Sequence, residues 1–179
     1  VDAIKKAKNE CGLLDELNSF FLHLLRAEGN TSRAPTEIAN VASCVDKVLD
    51  QLPEGLDAPN RVAVTMSTGA SVLRTNPSVL KIVIANLGEN ALMYSKPGSR
   101  VHLNIERAED KRGLDETDLL KICVEDSGEG IPNDFIQRIF RPFVRLRDDI
   151  TDGSGLGLTL VRSLVDLYGG SVYIQSEEN

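Results

Sequence analysis

The chain has 179 residues, 41% of them hydrophobic and 26% charged, a balance that suits one soluble globular domain with room for an appendage. A formal net charge of −7, with no Lys/Arg stripe interleaved with aromatics, argues against a nucleic-acid partner, and no apolar run reaches the roughly 20 residues that span a bilayer. Three widely spaced cysteines, Cys11, Cys44 and Cys123, make neither a disulfide framework nor a zinc knuckle, so a reducing, cytoplasmic setting is expected.

In chain order, residues 1–28 read as one long helix, because Ile4, Ala7, Cys11, Leu14, Phe21 and Leu25 keep a 3-4 spacing. "EGNTSRAPTE" is a turn-rich break. A second helix is expected over 36–52, with Ile38, Val41, Val45, Val48, Leu49 and Leu52 on one face. "RVAVTMS" alternates as a strand, with "SVLR" as its short partner. A helix over 78–95 opens on Asn76-Pro77, since proline suits the first helical position. "RVHLNIE" and "LLKICVED" then form a hairpin around the charged "RAEDKRGLDE". A short helix follows at 133–138. A last helix runs to about Tyr168, where Gly169-Gly170 stop it before a strand "SVYIQS". Helices alternating with mostly antiparallel strands point to a two-layer α/β sandwich.

Three stretches carry chemistry. On the 78–95 helix, Asn86, Asn90 and Tyr94 recur every four residues and stack as a polar seam beside the apolar face of Leu80, Val83, Ile84, Leu87 and Ala91. Asparagine competes for backbone hydrogen bonds in mid-helix, so two on one seam need a reason. Either they are amides bonded to neighbouring loops, or a neutral amide oxygen completes the shell of a Mg²⁺ held mainly by phosphates. In "CVEDSGEGIP", a strand ends in Asp126, with Gly128 and Gly130 behind it. Either this is ordinary turn chemistry, or the carboxylate accepts the exocyclic amine of adenine, against which glycine backbone lies flat. "DGSGLGLTLV" sets Gly153, Gly155 and Gly157 before a helix whose N-terminal N–H groups suit an anion. The spacing excludes the dinucleotide fingerprint, and no Lys-Ser/Thr follows to make a Walker loop.

Taken in order, these stretches resemble the N, G1, F and G2 boxes of sensor histidine kinases. The matches are Asn-x-x-x-Asn-Ala at 86–91, Asp-x-Gly-x-Gly-Ile-Pro at 126–132, "IFRPFVR" with Phe140, Phe143 and Arg145, and Gly-x-Gly-Leu-Gly-Leu at 153–158. The resemblance covers about residues 36–179. It implies the Bergerat fold of the GHKL superfamily: a mixed, mostly antiparallel sheet covered on one face by helices, preceded here by a long N-terminal helix. Residues 1–33 resemble the end of the dimerisation and histidine-phosphotransfer hairpin with its linker. Residues 34–179 are then the catalytic ATP-binding domain, its C-terminal strand expected to be missing.

Carried over position by position, the resemblance makes Asn90 the Mg²⁺ ligand, Asn86 its phosphate-side neighbour and Tyr94 a further nucleotide contact. Asp126 would bind the adenine amine, with Gly128, Gly130 and Ile131 lining the base. Arg145 would reach the γ-phosphate, and Gly153, Gly155, Leu156, Gly157 and Leu158 would cradle the phosphates. Residues 145–153 correspond to the ATP lid, which is short here. The implied reaction passes the γ-phosphate of Mg-ATP to a histidine outside this chain. The implied partners are the same protein's hairpin, through which it would form a homodimer, and a response-regulator receiver domain.

The chain departs from the family at two positions. Met93 stands where a lysine is usual, and Asn76 precedes Pro77 in place of aspartate. Neither His23 nor His102 has the His-Glu/Asp context of a phosphoacceptor. Two rivals follow: a degenerate kinase-like module that acts through protein contacts, favoured by Met93 and Asn76, and a GHKL ATPase or protein-serine kinase. The hydrolases of the superfamily carry a water-activating Glu four residues before the Mg²⁺ Asn, where this chain has Asn86, so the last rival lacks its general base.

Overall fold

The computed structural model describes residues 37–108, 119–146 and 154–178. The helix expected over 1–28, most of the charged hairpin loop and Gly153 with most of the lid segment lie outside the described residues. What is described falls into two compact units, divided after Gly130. No helix among the described residues is long and apolar enough to cross a membrane.

The first unit runs through β1 (Glu37–Asn40), α1 (Val41–Gln51), a 3-10 turn (Glu54–Leu56), α2 (Ala58–Arg61), β2 (Val62–Met66), β3 (Val72–Thr75), α3 (Pro77–Tyr94), β4 (Val101–Ala108) and β5 (Leu119–Glu125). Its main sheet has the order β2-β4-β5, with β2 parallel and β5 antiparallel to β4, while β1 and β3 make a separate antiparallel ribbon. On β4 the pleat turns Val101, Leu103 and Ile105 inward and leaves His102 and Glu106 exposed. Val41, Val45 and Val48 of α1 and Leu80, Ile84, Ala91 and Leu92 of α3 pack with that inward face in one core. Each buried aliphatic side chain contributes about 1.5–3 kcal/mol.

Two expectations are corrected here. The helix expected from residue 36 begins at Val41, because the Asn40 carboxamide accepts the Ser43 N–H at 2.8 Å and caps it. Residues 37–40 are β1, so Ile38 faces Arg74 across the ribbon and stays 66% exposed instead of lining a helix face. "SVLR" does become a strand, but it pairs with β1, and β2 takes β4 as its neighbour. The start of α3 is as the sequence indicates: Asn76 Oδ1 accepts from Ser78 N–H at 2.9 Å, and Pro77 opens the helix. Asn and Asp cap about equally well, so the exchange from the family's aspartate costs the helix little.

The second unit holds α4 (Asn133–Ile136) and α5 (Gly157–Leu167) around buried Ile139, Leu156, Val161 and Leu164. Arg138 stacks over the Phe135 ring at 4.9 Å, and Arg162 lies over Phe140 at 5.3 Å. α5 ends as the two glycines indicate. Gly169, at φ 74°, sends its N–H to Asp166 O, and the Gly170 N–H reaches Val165 O. The strand expected at "SVYIQS" is not formed. Exposure alternates along it, with Tyr173 84% exposed, but no ladder partner pairs with it among the described residues, and an extended segment without one is not a strand.

Candidate functional site

Asn86, Asn90 and Tyr94 lie half-buried on α3, and Asp126, Gly128 and Gly130 follow the end of β5. All six belong to the first unit. The two groups are joined directly, because Gly128 makes an antiparallel bridge with Ser95, the residue capping the end of α3. Ser95 is buried and its hydroxyl donates to Ala91 O at 2.6 Å, which holds the last turn of the helix in place.

The two asparagines differ. Asn86 Nδ2 donates to Ile82 O, one turn back, at 2.8 Å, so one of its two N–H donors is used within the helix and Oδ1 is left as an acceptor. The Asn90 carboxamide has no hydrogen-bond partner among the described residues. A half-buried amide left open in this way keeps a neutral oxygen for a hard cation. No three His, Cys, Asp or Glu side chains gather to hold a metal among the described residues. A single neutral amide oxygen fits Mg²⁺ carried mainly by phosphate oxygens.

Asp126 is exposed, and its Oδ1 accepts the Gly128 N–H at 2.7 Å, closing a small turn on its own side chain. The turn reading is borne out, and Oδ2 is not used by that bond. Gly130 has φ 85°, a conformation open to glycine at little cost.

The remaining sequence candidates belong to the second unit. The Ile131 N–H donates to Ser176 Oγ at 2.8 Å. Phe143 and Gly155 meet backbone to backbone: the Phe143 N–H donates to Gly155 O at 3.1 Å, with φ values of 63° and 73°. Positive φ at phenylalanine is uncommon, and Gly155 permits the approach, since a Cβ there would stand 2.9 Å from the Phe143 carbonyl carbon. Arg145 is half-buried and is not a free cation.

Beyond this contact, Leu156 caps α5 without a side-chain hydrogen bond, and Gly157, Leu158 and Thr159 begin the helix with no acidic residue in the first turn. Thr159 is buried, and its Oγ1 has no partner among the described residues. A helix start without a cap or an acid offers its N–H groups to an anion. Two residues bearing on these groups escape a sequence reading, Ser95 and Arg61. Neither lies in a periodic pattern, and only the fold brings Gly128 to Ser95 and the Lys96 and Ser99 carbonyls to Arg61.

Residues 75–179 match the family described as histidine kinase-, DNA gyrase B- and HSP90-like ATPase. Over 128 residues, 70% of this chain and 20% of the relative, the sequence is 37% identical to the alginate biosynthesis sensor protein KinB of Pseudomonas aeruginosa. It is 27% identical to the adaptive-response sensory kinase SasA of Synechococcus elongatus over 96% of this chain and 43% of that protein. The chain thus spans less than half the length of these relatives. Among solved structures, the Acinetobacter baumannii histidine kinase AdeS superposes with a TM-score of 0.68 at 20% identity, over 98% of this chain and 78% of that one.

Proposed function

Because the chain belongs to the histidine kinase-, DNA gyrase B- and HSP90-like ATPase family, we propose that it is the ATP-binding part of a two-component sensor histidine kinase. In that role it would present the γ-phosphate to a histidine on the dimerisation hairpin of the same protein, which then serves a response-regulator receiver domain. The observation that carries the reading is the Ser95–Gly128 bridge, which locks the open amide of Asn90 and the carboxylate of Asp126 into one framework. Bound Mg-ATP supplies the phosphoryl group and its charge neutralisation. Asp126 would accept the adenine amine, and guanine, with an oxygen at that place, would be repelled. Asn90 would lend its amide oxygen to Mg²⁺, with Asn86 beside it. By the family resemblance, the first-turn N–H groups of α5 would hold phosphate oxygens, and Arg145 would serve the γ-phosphate.

Hydrolysis to water is disfavoured at this site. Asn86 stands where a general base is required, and a neutral carboxamide is too weak a base to take a proton from water. Calorimetry with Mg-ADP and Mg-GDP on the parent and on Asp126→Asn tests the reading. The parent should prefer ADP, and the substitution should weaken ADP by about ten- to a hundredfold, the worth of one hydrogen bond to a charged group. Equal ADP affinity in both proteins removes Asp126 from the site. With γ-labelled ATP, phosphate should appear on a supplied hairpin histidine and not on His102, and label on His102 would overturn the assignment.

A further inference from the structure

We infer that Arg61, outside every box of the family, is a positioning residue for the base end of the nucleotide site, an assignment that rests on the reading above. Arg61 closes α2, and no carboxylate pairs with it among the described residues. Its guanidinium instead fans over three backbone carbonyls: Nε donates to Ser99 O at 3.0 Å, Nη1 to Leu56 O at 3.3 Å and Nη2 to Lys96 O at 3.4 Å. Lys96 O also accepts the Ser99 N–H at 3.0 Å and the Ser99 hydroxyl at 2.7 Å, so one carbonyl gathers three donors and fixes the 96–99 turn.

That turn leaves α3 one residue after Ser95. Ser95 is bridged to Gly128, and the Gly128 N–H in turn holds Asp126 Oδ1. Each link is a direct contact, so the guanidinium sets the turn, the turn sets Ser95, and Ser95 sets the carboxylate. A planar fork with five donors can serve three carbonyls from different segments, whereas an ammonium on a flexible stem cannot hold the same geometry. Loss of the fork leaves Leu56 O and Ser99 O without this donor and frees the 96–99 turn to shift, and the carboxylate with it.

The test uses the intact chain with Arg61→Met, Arg61→Lys, Asp126→Asn and the Arg61→Met/Asp126→Asn double variant. Mg-ADP titration should show about tenfold weaker binding for Arg61→Met, partial recovery for Arg61→Lys, and a double variant little weaker than Asp126→Asn alone, as coupled residues require. Amide hydrogen exchange should quicken in Arg61→Met at 96–99 and also at 126–130. An Arg61 that only staples α2 to the turn would lower the melting temperature, quicken 96–99 alone, and add its full loss to that of Asp126→Asn. Any of these last two results overturns the inference. If the parent itself fails to bind Mg-ADP, the nucleotide reading falls, and exchange at 126–130 still decides whether Arg61 reaches the Asp126 turn.

Discussion

Gly128 lies so close to Tyr94 that a Cβ added to it would stand 2.9 Å from the Tyr94 carbonyl oxygen. Real Cβ atoms are not found at that distance from a backbone oxygen, and the same Cβ would come within 2.8 Å of Asp126 Oδ1. The glycine is therefore needed twice: once so that its backbone can bridge Ser95, and once so that the Asp126 turn can close. Sequence position 128 is where the helix carrying Asn90 and the turn carrying Asp126 become one object.

Gly128→Ala should accordingly cost stability and function together. Forcing a methyl into a filled site costs about 1–3 kcal/mol, read as a lower urea midpoint. Mg-ADP affinity should fall with it, because the atoms that must yield belong to Tyr94 and Asp126. Gly88→Ala is the opposite case. It sits inside α3, its nearest neighbour would be Leu52 Cδ1 at 3.9 Å, and alanine there should stabilise by about 0.5–1 kcal/mol. A Gly128→Ala protein as stable as the parent would contradict the packing described here.

Gly155→Ala meets both obstacles at once. The residue has φ 73°, and a Cβ would lie 2.9–3.0 Å from Phe143 and Val144 backbone atoms, none of which can rotate away. The left-handed conformation alone costs an L-residue about 1–2 kcal/mol. Relief would come by breaking the Phe143 N–H to Gly155 O bond, which should quicken amide exchange at Phe143 and in the first turn of α5. Unchanged exchange at Phe143 would show that the approach is looser than 2.9 Å.

Local chemistry was legible in the sequence, and long-range pairing was not. Asn76-Pro77 announces a helix start because both residues act on their own backbone, and Gly169-Gly170 announce a stop for the same reason. The alternation in β4 and β5 also reads directly, since Val101, Leu103 and Ile105 share one side of the pleat. Residues 37–40 misled because their apolar spacing fits a helix. What makes them a strand is β3, with Asn40 paired to Val72 far along the chain. The candidate residues were legible only as types at fixed spacing, and the fold adds that the Asp126 turn is bridged to the end of the helix that carries Asn90. The Ser95 bridge and the carbonyl grip of Arg61 were not legible, because a backbone carbonyl leaves no mark in a sequence.

Cys44 predicts a pH dependence. It is 6% exposed on α1, and burial raises its thiol pKa above the ordinary 9.0, against a smaller lowering by Lys81 and Lys47. In the unfolded chain the thiol ionises first, so between its unfolded and folded pKa values the unfolded state binds fewer protons. The neutral thiol's contribution is therefore complete below pH 9.0 and is lost as pH climbs toward the raised folded value. The fall can be no steeper than about 1.4 kcal/mol per pH unit for one group. Cys123 and Tyr168 are raised as well, and slope in the same direction. Urea midpoints measured from neutral pH upward should converge between the parent and Cys44→Ala as pH rises. Parallel curves would mean that Cys44 does not titrate on unfolding in this range.

Thr159 separates the two donors that the start of α5 could offer. Its Oγ1 is buried without a partner among the described residues, and a hydroxyl kept from water and left unpaired costs about 1–3 kcal/mol. Thr159→Val keeps the β-branched shape and removes the unpaired group, so the urea midpoint should hold or rise. Thr159→Ser keeps the hydroxyl and loses a methyl from a site 8% exposed, and should lower the midpoint. If phosphate is held by the first-turn N–H groups, neither change moves Mg-ADP affinity by more than about twofold, because the backbone donors are untouched. A tenfold loss in Thr159→Val with full affinity in Thr159→Ser would instead assign the hydroxyl itself to the phosphate, and the orphan would be a donor waiting for its acceptor.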